Sequence, residues 1–563
     1  MHKTFSMKKS IFFSIACSIM ATTFAQVSVT VGPYLQSPTP NSVKVLWRTD
    51  SLTTVKVTYG TNLNALTQAV IDTAVSSRHA VKLSNLSPYT RYYYAIYNDT
   101  VLAEGGDSLH TFRTFPVSGT NTPVRVWAIG DFGKGNDKQA RVRDAYANYD
   151  SIGTDLWLWL GDNVYQDGTE AEYLTKVFDS VYGYQKIMKH LPFEPSPGNH
   201  DYNSIAPVGS SIDPLQNTGP YFDLVDVYKN AEAGGVATGH ELFYSFDYGN
   251  VHFVSLNSEI GSIFSASYDW TGASPFNTFT TSPMSQWLHQ DLQANTKPWT
   301  VVYFHQPPYT DGSHDAGSFW EIYMRAMRQN FAEIWEQYGV DLVLCGHSHV
   351  YERSYLVRGA YEEAADITVF NYVQTTSGVE AQGEAYIKYT QGTNANYGTV
   401  YVVQGNSGSS DDAPPFGHPY MYAEYGCDTC CGSLVLDIDS NRLDGRHIDM
   451  YGQEQDHFTI YKVFGAAPSG VKELADVVFD KLSIVPNPFS NSTTVSFDLN
   501  KSELVQVNLL DALGQVVPVF EGDMPKGNNR LEINATKLKL AKGVYTVQLK
   551  AQDRQLSRQI VIQ

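Results

Sequence analysis

The sequence predicts three folded parts: an all-β sandwich, a central α/β layered domain and a second all-β sandwich. The first observation is length, since 563 residues are enough for about three or four domains. The second is pattern, because apolar and polar residues alternate near both ends of the chain, whereas strand-like and helix-like stretches alternate in the middle. Hydrophobic residues make up 42% and charged residues 17% of the chain, which excludes disorder throughout.

Residues 1–25 are predicted to be a signal peptide. Lys3, Lys8 and Lys9 precede an apolar run over residues 11–24, and Ala25 ends an acceptable cleavage site. The run is shorter than the ~20 apolar residues that span a membrane, and no later stretch of the sequence reaches that length. The protein is therefore expected to be exported without a transmembrane segment.

The 5 cysteines fit an oxidising compartment. Cys427, Cys430 and Cys431 favour a local disulfide, because a zinc site would need a second cysteine pair. Cys345 ends an apolar run and is expected to be buried. Cys17 lies in the predicted signal peptide, where lipidation is the alternative to simple cleavage.

The net charge of −19 excludes nucleic acid as a structural partner, because an acidic surface repels phosphate backbones. An anionic substrate would then need concentrated positive charge at its binding site. A metal cluster is one way to provide that charge.

The first sandwich is predicted over residues 27–118. Residues 43–47 and 55–59 alternate with period two, as half-buried strands do. Residues 86–94 resemble the tyrosine-corner strand of fibronectin type III domains, with Trp47 as the candidate core tryptophan. Such a module carries no chemistry by itself.

The central domain is predicted over residues 123–463. Apolar runs typical of buried strands lie at 124–130, 155–160, 299–304 and 340–345. Helical patterns lie at 137–149, 171–190 and 317–338. A small-residue, polar linker is predicted over 464–479, and the second sandwich over 480–563.

Each of the four apolar runs ends in polar side chains. The motifs are Gly130-Asp131-Phe132-Gly133, Gly161-Asp162-Asn163-Val164-Tyr165, His305, and Gly346-His347-Ser348-His349, with Gly198-Asn199-His200 between the second and third. Ligands bind beyond the carboxyl ends of strands in open α/β sheets, so these motifs are expected to converge. Carboxylates, imidazoles, an amide oxygen and a phenol can hold two cations about 3.5–4 Å apart, as in two-metal hydrolases.

The order of these motifs resembles that of calcineurin-like metallophosphoesterases. Tyr165, three residues after Asp162, narrows the resemblance to purple acid phosphatases, as does the stretch 346–354. Residues 33–36 resemble the start of that family's N-terminal sandwich, and the resemblance covers about residues 27–460. The resemblance implies that the protein hydrolyses phosphate monoesters by attack of a metal-activated hydroxide. It also implies that the substrate is a small phosphoester.

The resemblance also implies a role for each motif residue. The ferric ion would be held by Asp131, Tyr165 and His349, and the divalent iron, zinc or manganese ion by Asn199, His305 and His347, with Asp162 bridging. His200 and His314 would be the catalytic histidines. A ferric–phenolate bond would colour the protein.

Two features depart from the family pattern. Asp201 stands where many members have Glu, so the contacts around the metal ligands and the pH optimum do not carry over from the family. Residues 204–240 and 259–282 are predicted to be inserts that shape the substrate pocket.

The C-terminal part resembles the sorting domain recognised by type IX secretion systems, in residues 486–489, 510–515 and 543–545. The resemblance implies periplasmic transit, followed by secretion or attachment to the cell surface by the type IX machinery. An ordinary carbohydrate-type or spacer sandwich is the alternative.

Two other functions compete with monoester hydrolysis. The same metal site could act on diesters or nucleotides. Alternatively, the chain could be a catalytically inactive surface adhesion or binding protein, since both flanking modules are of an interaction type.

Overall fold

The computed structural model describes residues 26–562 apart from 203–217, 260–281, 319–320, 362–366, 368–370, 393, 412–416, 467–478, 488, 500–501, 511–515 and 552–553. The predicted signal peptide, the first part of the predicted insert 204–240, nearly all of the predicted insert 259–282 and most of the predicted linker lie outside the described residues.

The N-terminal domain is built from six strands: β1 Val29–Gln36, β2 Ser42–Gly60, β3 Gln68–Ser84, β4 Arg91–Asn98, β5 Val101–Gly105 and β6 Thr111–Arg113. The long strand β2 contains both predicted strands and pairs with β1, β3 and β4. Trp47 is buried in the core of this domain. The backbone N–H of Ser87 donates to the Tyr92 hydroxyl at 2.9 Å, the type of contact expected of a tyrosine corner.

The N-terminal domain packs directly on the central domain. The Tyr34 hydroxyl donates to the carbonyl of Leu224 at 2.9 Å, and the Gln36 side-chain amide donates to the carbonyl of Phe193 at 2.8 Å. Tyr34 also belongs to the hydrophobic core of the central domain. These buried contacts support the start of a strand that leads to the candidate site.

The central domain contains two seven-stranded sheets. One has the order β10-β11-β12-β13-β18-β14-β19, with β10 Tyr244–Tyr248, β11 Val251–Ser255, β12 Trp299–Tyr303, β13 Leu342–Cys345, β14 Tyr351–Ser354, β18 Val400–Gln404 and β19 Met421–Tyr425. The other has the order β17-β22-β21-β20-β7-β8-β9, with β7 Val124–Ile129, β8 Leu156–Leu160, β9 Phe193–Ser196, β17 Tyr386–Gln391, β20 Gly432–Asp439, β21 Arg442–Asp449 and β22 Glu454–Ala466. Both sheets contribute to one hydrophobic core.

The four predicted buried strands are β7, β8, β12 and β13. β7 and β8 are parallel neighbours in one sheet, and β12 and β13 are parallel neighbours in the other. A short two-stranded sheet pairs β15 Leu356–Val357 with β16 Tyr372–Gln374. The β22 strand runs through Ala466, so residues 464–466, which were predicted to be linker, belong to a strand.

The described α-helices are α1 Asp137–Tyr149, α2 Glu170–Glu172, α3 Gln185–Met188, α4 Asn199–Tyr202, α5 Pro220–Leu224, α6 Pro283–Ala294 and α7 Ile322–Gln337. A π-helical turn, Tyr173–Val177, and a 3-10 turn, Glu380–Gln382, are also present. The α1 helix matches its prediction, with Asn136 as its N-cap. Most of the predicted helix 317–338 is α7. The single long helix predicted over 171–190 is wrong, because this stretch forms only short helical turns separated by irregular backbone.

The C-terminal domain contains β23 Phe479–Val485, β24 Ser492–Leu499, β25 Glu503–Leu510, β26 Val516–Met524, β27 Gly527–Asn534, β28 Gly543–Ala551 and β29 Arg554–Ile562. They form a three-stranded and a four-stranded sheet. Among the described residues, the hydrophobic core of this domain consists only of side chains from 484–562. The domain therefore has a core of its own.

A disulfide joins Cys427 to Cys430, as expected of a local bridge, while Cys431 and Cys345 are free and buried. Among the helices that the structure describes, none is long and apolar enough to cross a membrane.

Candidate metal centre

The candidate site lies where the carboxyl ends of strands from both sheets meet. Asp131, Asp162 and Asn199 follow β7, β8 and β9 of one sheet. The imidazoles of His305 and His347 follow β12 and β13 of the other. The site is therefore assembled from two sheets, which the order of motifs along the sequence does not specify.

Three residues at this edge adopt left-handed backbone conformations. The φ angles are +58° for Asp131, +45° for Asp162 and +67° for His347. Positive φ is uncommon for residues other than glycine and, where it occurs, tends to mark functional sites. The strained turns direct side chains from the strand ends into the cluster.

Two glycines make room for the cluster. A Cβ atom on Gly161 would lie 2.4 Å from Nδ1 of His305, and one on Gly198 would lie 2.2 Å from the backbone nitrogen of Asp162. Both distances are shorter than contacting atoms tolerate, so any side chain at either position would displace a site residue.

One half of the cluster is centred on Nε2 of His305. This nitrogen lies 3.1 Å from Oδ1 of Asn199, 3.2 Å from Nδ1 of His347 and 3.3 Å from Oδ1 of Asp162. The other ring nitrogen, Nδ1, is 3.0 Å from the carbonyl oxygen of Leu160 and so carries the hydrogen.

The donor set of this half fits a metal ion. With its hydrogen on Nδ1, neutral His305 turns an Nε2 lone pair toward two oxygen acceptors, an arrangement that a cation stabilises. Burial by itself lowers the pKa of His305, but the carboxylates of Asp162 and Asp131 raise it to about 10. Either a proton or a metal cation thus has to balance the negative charge. Imidazole, amide and carboxylate ligands suit zinc, iron or manganese.

The other half of the cluster contains Asp131, Tyr165 and His349. The Tyr165 hydroxyl donates to Oδ1 of Asp131 at 2.8 Å and lies 3.1 Å from Nε2 of His349. Nδ1 of His349 is 3.0 Å from a carboxylate oxygen of Asp411, which leaves Nε2 facing the cluster. Burial, Asp131 and Asp162 raise the pKa of Tyr165 well above its usual value, so a phenolate here would need a cation beside it.

The two halves are connected. The backbone N–H of His347 donates to Oδ2 of Asp131 at 2.8 Å. All seven predicted ligands therefore lie in one continuous cluster.

His200 lies at the edge of the cluster. Its backbone N–H donates to Oδ1 of Asp162 at 2.8 Å, and its Nδ1 is 2.7 Å from the carbonyl oxygen of Gln166. Nε2 therefore faces the cluster, at 3.8 Å from Oδ2 of Asp162. The ring centroid is 4.4 Å from that of Tyr165. This placement suits a group that acts on a bound substrate without binding metal.

His314, the second predicted catalytic residue, is brought to the same edge by the loop after β12. Its ring centroid lies 4.2 Å from that of His347 and 6.4 Å from that of His349. Its side chain is 39% exposed, so a substrate can reach it.

Asp201 supports the loop that carries Asn199. Its carboxylate accepts hydrogen bonds from the backbone N–H groups of Gly198, at 2.7 Å, and Asn163, and from the Tyr173 hydroxyl. Burial and the nearby carboxylate of Asp162 raise the pKa of Asp201 to about 7. The shorter aspartate thus fills the position where the family pattern has glutamate.

Three residues around the cluster were missed by the sequence analysis. Lys134 places its Nζ 3.1 Å from the centroid of the Tyr165 ring, Asp411 contacts His349, and Glu321 contacts both His314 and His347. Lys134 directly follows the first motif, and this position in the sequence could have identified it as a residue near the site. Asp411 and Glu321 lie outside all the motifs, and nothing in their local sequence distinguishes them.

Three family models match consecutive parts of the chain. Residues 29–114 match the purple acid phosphatase N-terminal domain, residues 124–351 match calcineurin-like phosphoesterase, and residues 483–563 match the secretion system C-terminal sorting domain.

Curated relatives are identical to this chain at about a quarter of the aligned positions. An uncharacterized protein of Mycobacterium tuberculosis is 28% identical over 361 residues, 60% of this chain and 59% of the relative. Purple acid phosphatase 15 of Arabidopsis thaliana is 27% identical over 304 residues, 49% of each chain. A nucleotide pyrophosphatase/phosphodiesterase of Hordeum vulgare is 26% identical over 270 residues, 44% of this chain and 64% of the relative. The chain thus spans 59% of the length of the first of these relatives.

Among solved structures, a purple acid phosphatase from yellow lupin seeds superposes on this chain with a TM-score of 0.53 at 17% sequence identity. The superposition covers 76% of this chain and 74% of the lupin chain. At these identities the likeness concerns the fold alone.

Proposed function

We propose that this chain is an exported binuclear metallophosphatase that hydrolyses phosphate monoesters. Its residues 124–351 match calcineurin-like phosphoesterase and follow a match to the purple acid phosphatase N-terminal domain. The observation that carries the proposal is the cluster itself. Seven side chains that can bind metal converge at the carboxyl ends of the strands, with their oxygen and nitrogen atoms facing one another. Carboxylates, imidazoles, an amide oxygen and a phenol together form a ligand set that suits iron, zinc or manganese.

Under this proposal, Asp131, Tyr165 and His349 would hold a ferric ion, Asn199, His305 and His347 would hold a divalent one, and Asp162 would serve as a ligand to both. The bound ions would supply an activated water nucleophile and positive charge for the phosphate oxygens. Positive charge concentrated in this way offsets the acidic surface that would otherwise repel an anionic substrate.

The chain's own histidines complete the mechanism. His200 presents Nε2 to the cluster edge, from which it can give a proton to the leaving oxygen. His314 presents its imidazole from the opposite loop, where it can contact a substrate oxygen. His200 lies in the short helix after β9 and His314 in the loop after β12, so both would be placed beside a substrate bound at the cluster. Positioning of this kind is a main source of rate in phosphoryl transfer.

A second candidate is hydrolysis of phosphodiesters at the same site, since one relative is named a nucleotide pyrophosphatase/phosphodiesterase. A catalytically inactive binding protein is disfavoured, because every expected ligand is present in the cluster.

The test is a rate comparison on metal-loaded protein. An aryl phosphate monoester and the matching diester are assayed side by side, with metal content measured on the same sample. We expect metal-dependent turnover of the monoester with the diester much slower. A reversed preference would favour the diesterase, and absence of both metal and turnover would favour the binding protein.

Tyr165 gives the proposal a visible signature. We expect iron-loaded protein to absorb in the visible range, because a phenolate ligand donates charge to ferric iron, and Tyr165→Phe to lose this band. Absorption spectra of the two proteins at equal iron content check the prediction. Tyr202→Phe is the matched control, since Tyr202 is also buried but bonds to Asn257 instead of the cluster. A colourless iron-loaded wild type would remove Tyr165 from the proposed ligands.

Export through a type IX system is proposed from the match to the secretion system C-terminal sorting domain. None of the proposed ligands lies in this domain, and its hydrophobic core is its own. The proposed boundary, near Pro468, lies outside the described residues and just after the end of β22.

A chain truncated near Pro468 is therefore expected to fold, bind metal and hydrolyse phosphoesters as fast as the full chain, because domains with separate cores fold separately. In a host with type IX secretion, the truncated enzyme should accumulate in the periplasm. Activity measured in periplasmic and external fractions checks both statements. Normal external levels would contradict the sorting role, and an inactive truncated enzyme would show that the two domains depend on each other.

A further inference from the structure

Glu321 directly precedes α7, and its carboxylate lies between two histidines of the site. Oε1 is 2.8 Å from Nδ1 of His314, and Oε2 is 3.5 Å from Nε2 of His347. The ligand atoms of the three side chains all lie within 4.8 Å of one another. The Glu321 side chain is 22% exposed, so it is largely shielded from water.

The orientation of His347 indicates which of its ring nitrogens donates to Glu321. Nδ1 of His347 faces Nε2 of His305 inside the cluster. If Nδ1 is the metal-binding nitrogen, the hydrogen of the neutral ring is on Nε2. Nε2 is buried and has no hydrogen-bond partner within the described part of the chain. Oε2 of Glu321 lies 3.5 Å from this nitrogen and needs to move only slightly to accept its hydrogen.

The orientation of His314 follows from the same carboxylate. Nδ1 of His314 donates to Oε1 of Glu321, so Nε2 is the nitrogen left to contact a substrate. The ring is also packed beside that of His347, with 35° between the two planes. One carboxylate thus restrains both a metal ligand and a substrate-facing histidine.

We propose that Glu321 is a positioning residue that couples metal binding by His347 to the alignment of His314 toward the substrate. The inference rests on the proposed metallophosphatase function. Glutamate has two acceptor oxygens, one for each histidine N–H. Glutamine has only one, and its amide N–H₂ group would face the second N–H. Replacement by glutamine keeps the size of the side chain but disrupts one of the two contacts.

The test uses full-length protein and the variants Glu321→Gln and Glu321→Asp. Zn²⁺ is titrated into metal-free protein, and kcat and KM for an aryl monoester are measured on metal-loaded protein. We expect Glu321→Gln to weaken Zn²⁺ binding by about 10–100-fold, the usual effect of losing a partner of a metal ligand. We expect kcat/KM to fall further than metal loss explains, and Glu321→Asp to recover part of both losses. Glu333→Gln is the matched control, because Glu333 is an exposed residue of the same helix.

A His314→Ala background isolates the second half of the proposal. There, Glu321→Gln should still weaken Zn²⁺ binding but lower kcat/KM no further on fully loaded protein. Unchanged Zn²⁺ affinity and kcat/KM in Glu321→Gln, with an active wild type, would overturn the inference and leave the proposed function intact. A third equivalent of Zn²⁺ that disappears in Glu321→Gln would also overturn it, since Glu321 would then be a ligand. A wild type that neither binds metal nor hydrolyses phosphoesters would instead overturn the proposed function.

Discussion

Asp162→Asn is expected to lose metal and turnover together. The Asp162 carboxylate is buried, faces His305 at 3.3 Å and accepts the backbone N–H of His200 at 2.8 Å. In the proposed site it bridges both ions, and asparagine would replace this anion with a neutral amide. Since losing even an outer partner of a metal ligand costs about 10–100-fold, we expect turnover to fall by more than ~100-fold. Metal analysis and a monoester assay on the same preparation check this.

Asp439→Asn is a matched control for this change. Asp439 is exposed and lies at the opposite edge of the same sheet, where its neighbour Ile438 pairs with Val124 at the start of β7. This variant should keep both metal and activity. Full metal occupancy with near wild-type turnover in Asp162→Asn would contradict the proposed bridging role.

His200→Ala is expected to keep metal and lower turnover by roughly 10²–10⁴, the range for loss of a general acid–base group. The ring contacts the carbonyl of Gln166 and lies beside Tyr165, and it is not needed to complete either half of the cluster. The loss should be smaller for monoesters with good leaving groups, because these need little protonation.

A series of aryl phosphates with leaving groups of different pKa makes this prediction quantitative. His190→Ala serves as a control, because His190 is an exposed histidine that precedes β9 instead of following it. An equal loss across the series would assign His200 to phosphate binding, and a loss of metal would assign it to the ligand set.

Much of this architecture could be predicted from local sequence. The apolar runs that form β7, β8, β12 and β13 each contain only one polar residue, at or near the start, as burial on both faces of a parallel strand requires. Residues 55–59 of β2 and strand β25 alternate with period two, because one face of each is buried and the other is more exposed. The one long helix predicted over 171–190 failed, since a helical pattern of side chains does not ensure that tertiary packing will keep the backbone regular.

Five candidate ligands were also predictable, because four follow a predicted strand within two residues and four are directly preceded by a glycine. Asp131, Asp162, Asn199, His305 and His347 therefore stand out as motifs in the amino-acid sequence alone. The residue types alone indicated a two-metal site.

Only the tertiary structure decided how these motifs meet. Two separate sheets bring their strand ends to one edge, so residues as far apart in sequence as Asp131 and His347 are joined by a hydrogen bond of 2.8 Å. The same packing placed Glu321 and Asp411 against the candidate ligands His347 and His349, although neither belongs to a motif. Sequence patterns record which face of a strand or helix is buried, whereas contacts between distant segments depend on how those faces pack. The sequence by itself therefore determined which residues could bind metal, and the packing of the two sheets determined which residues surround and orient them.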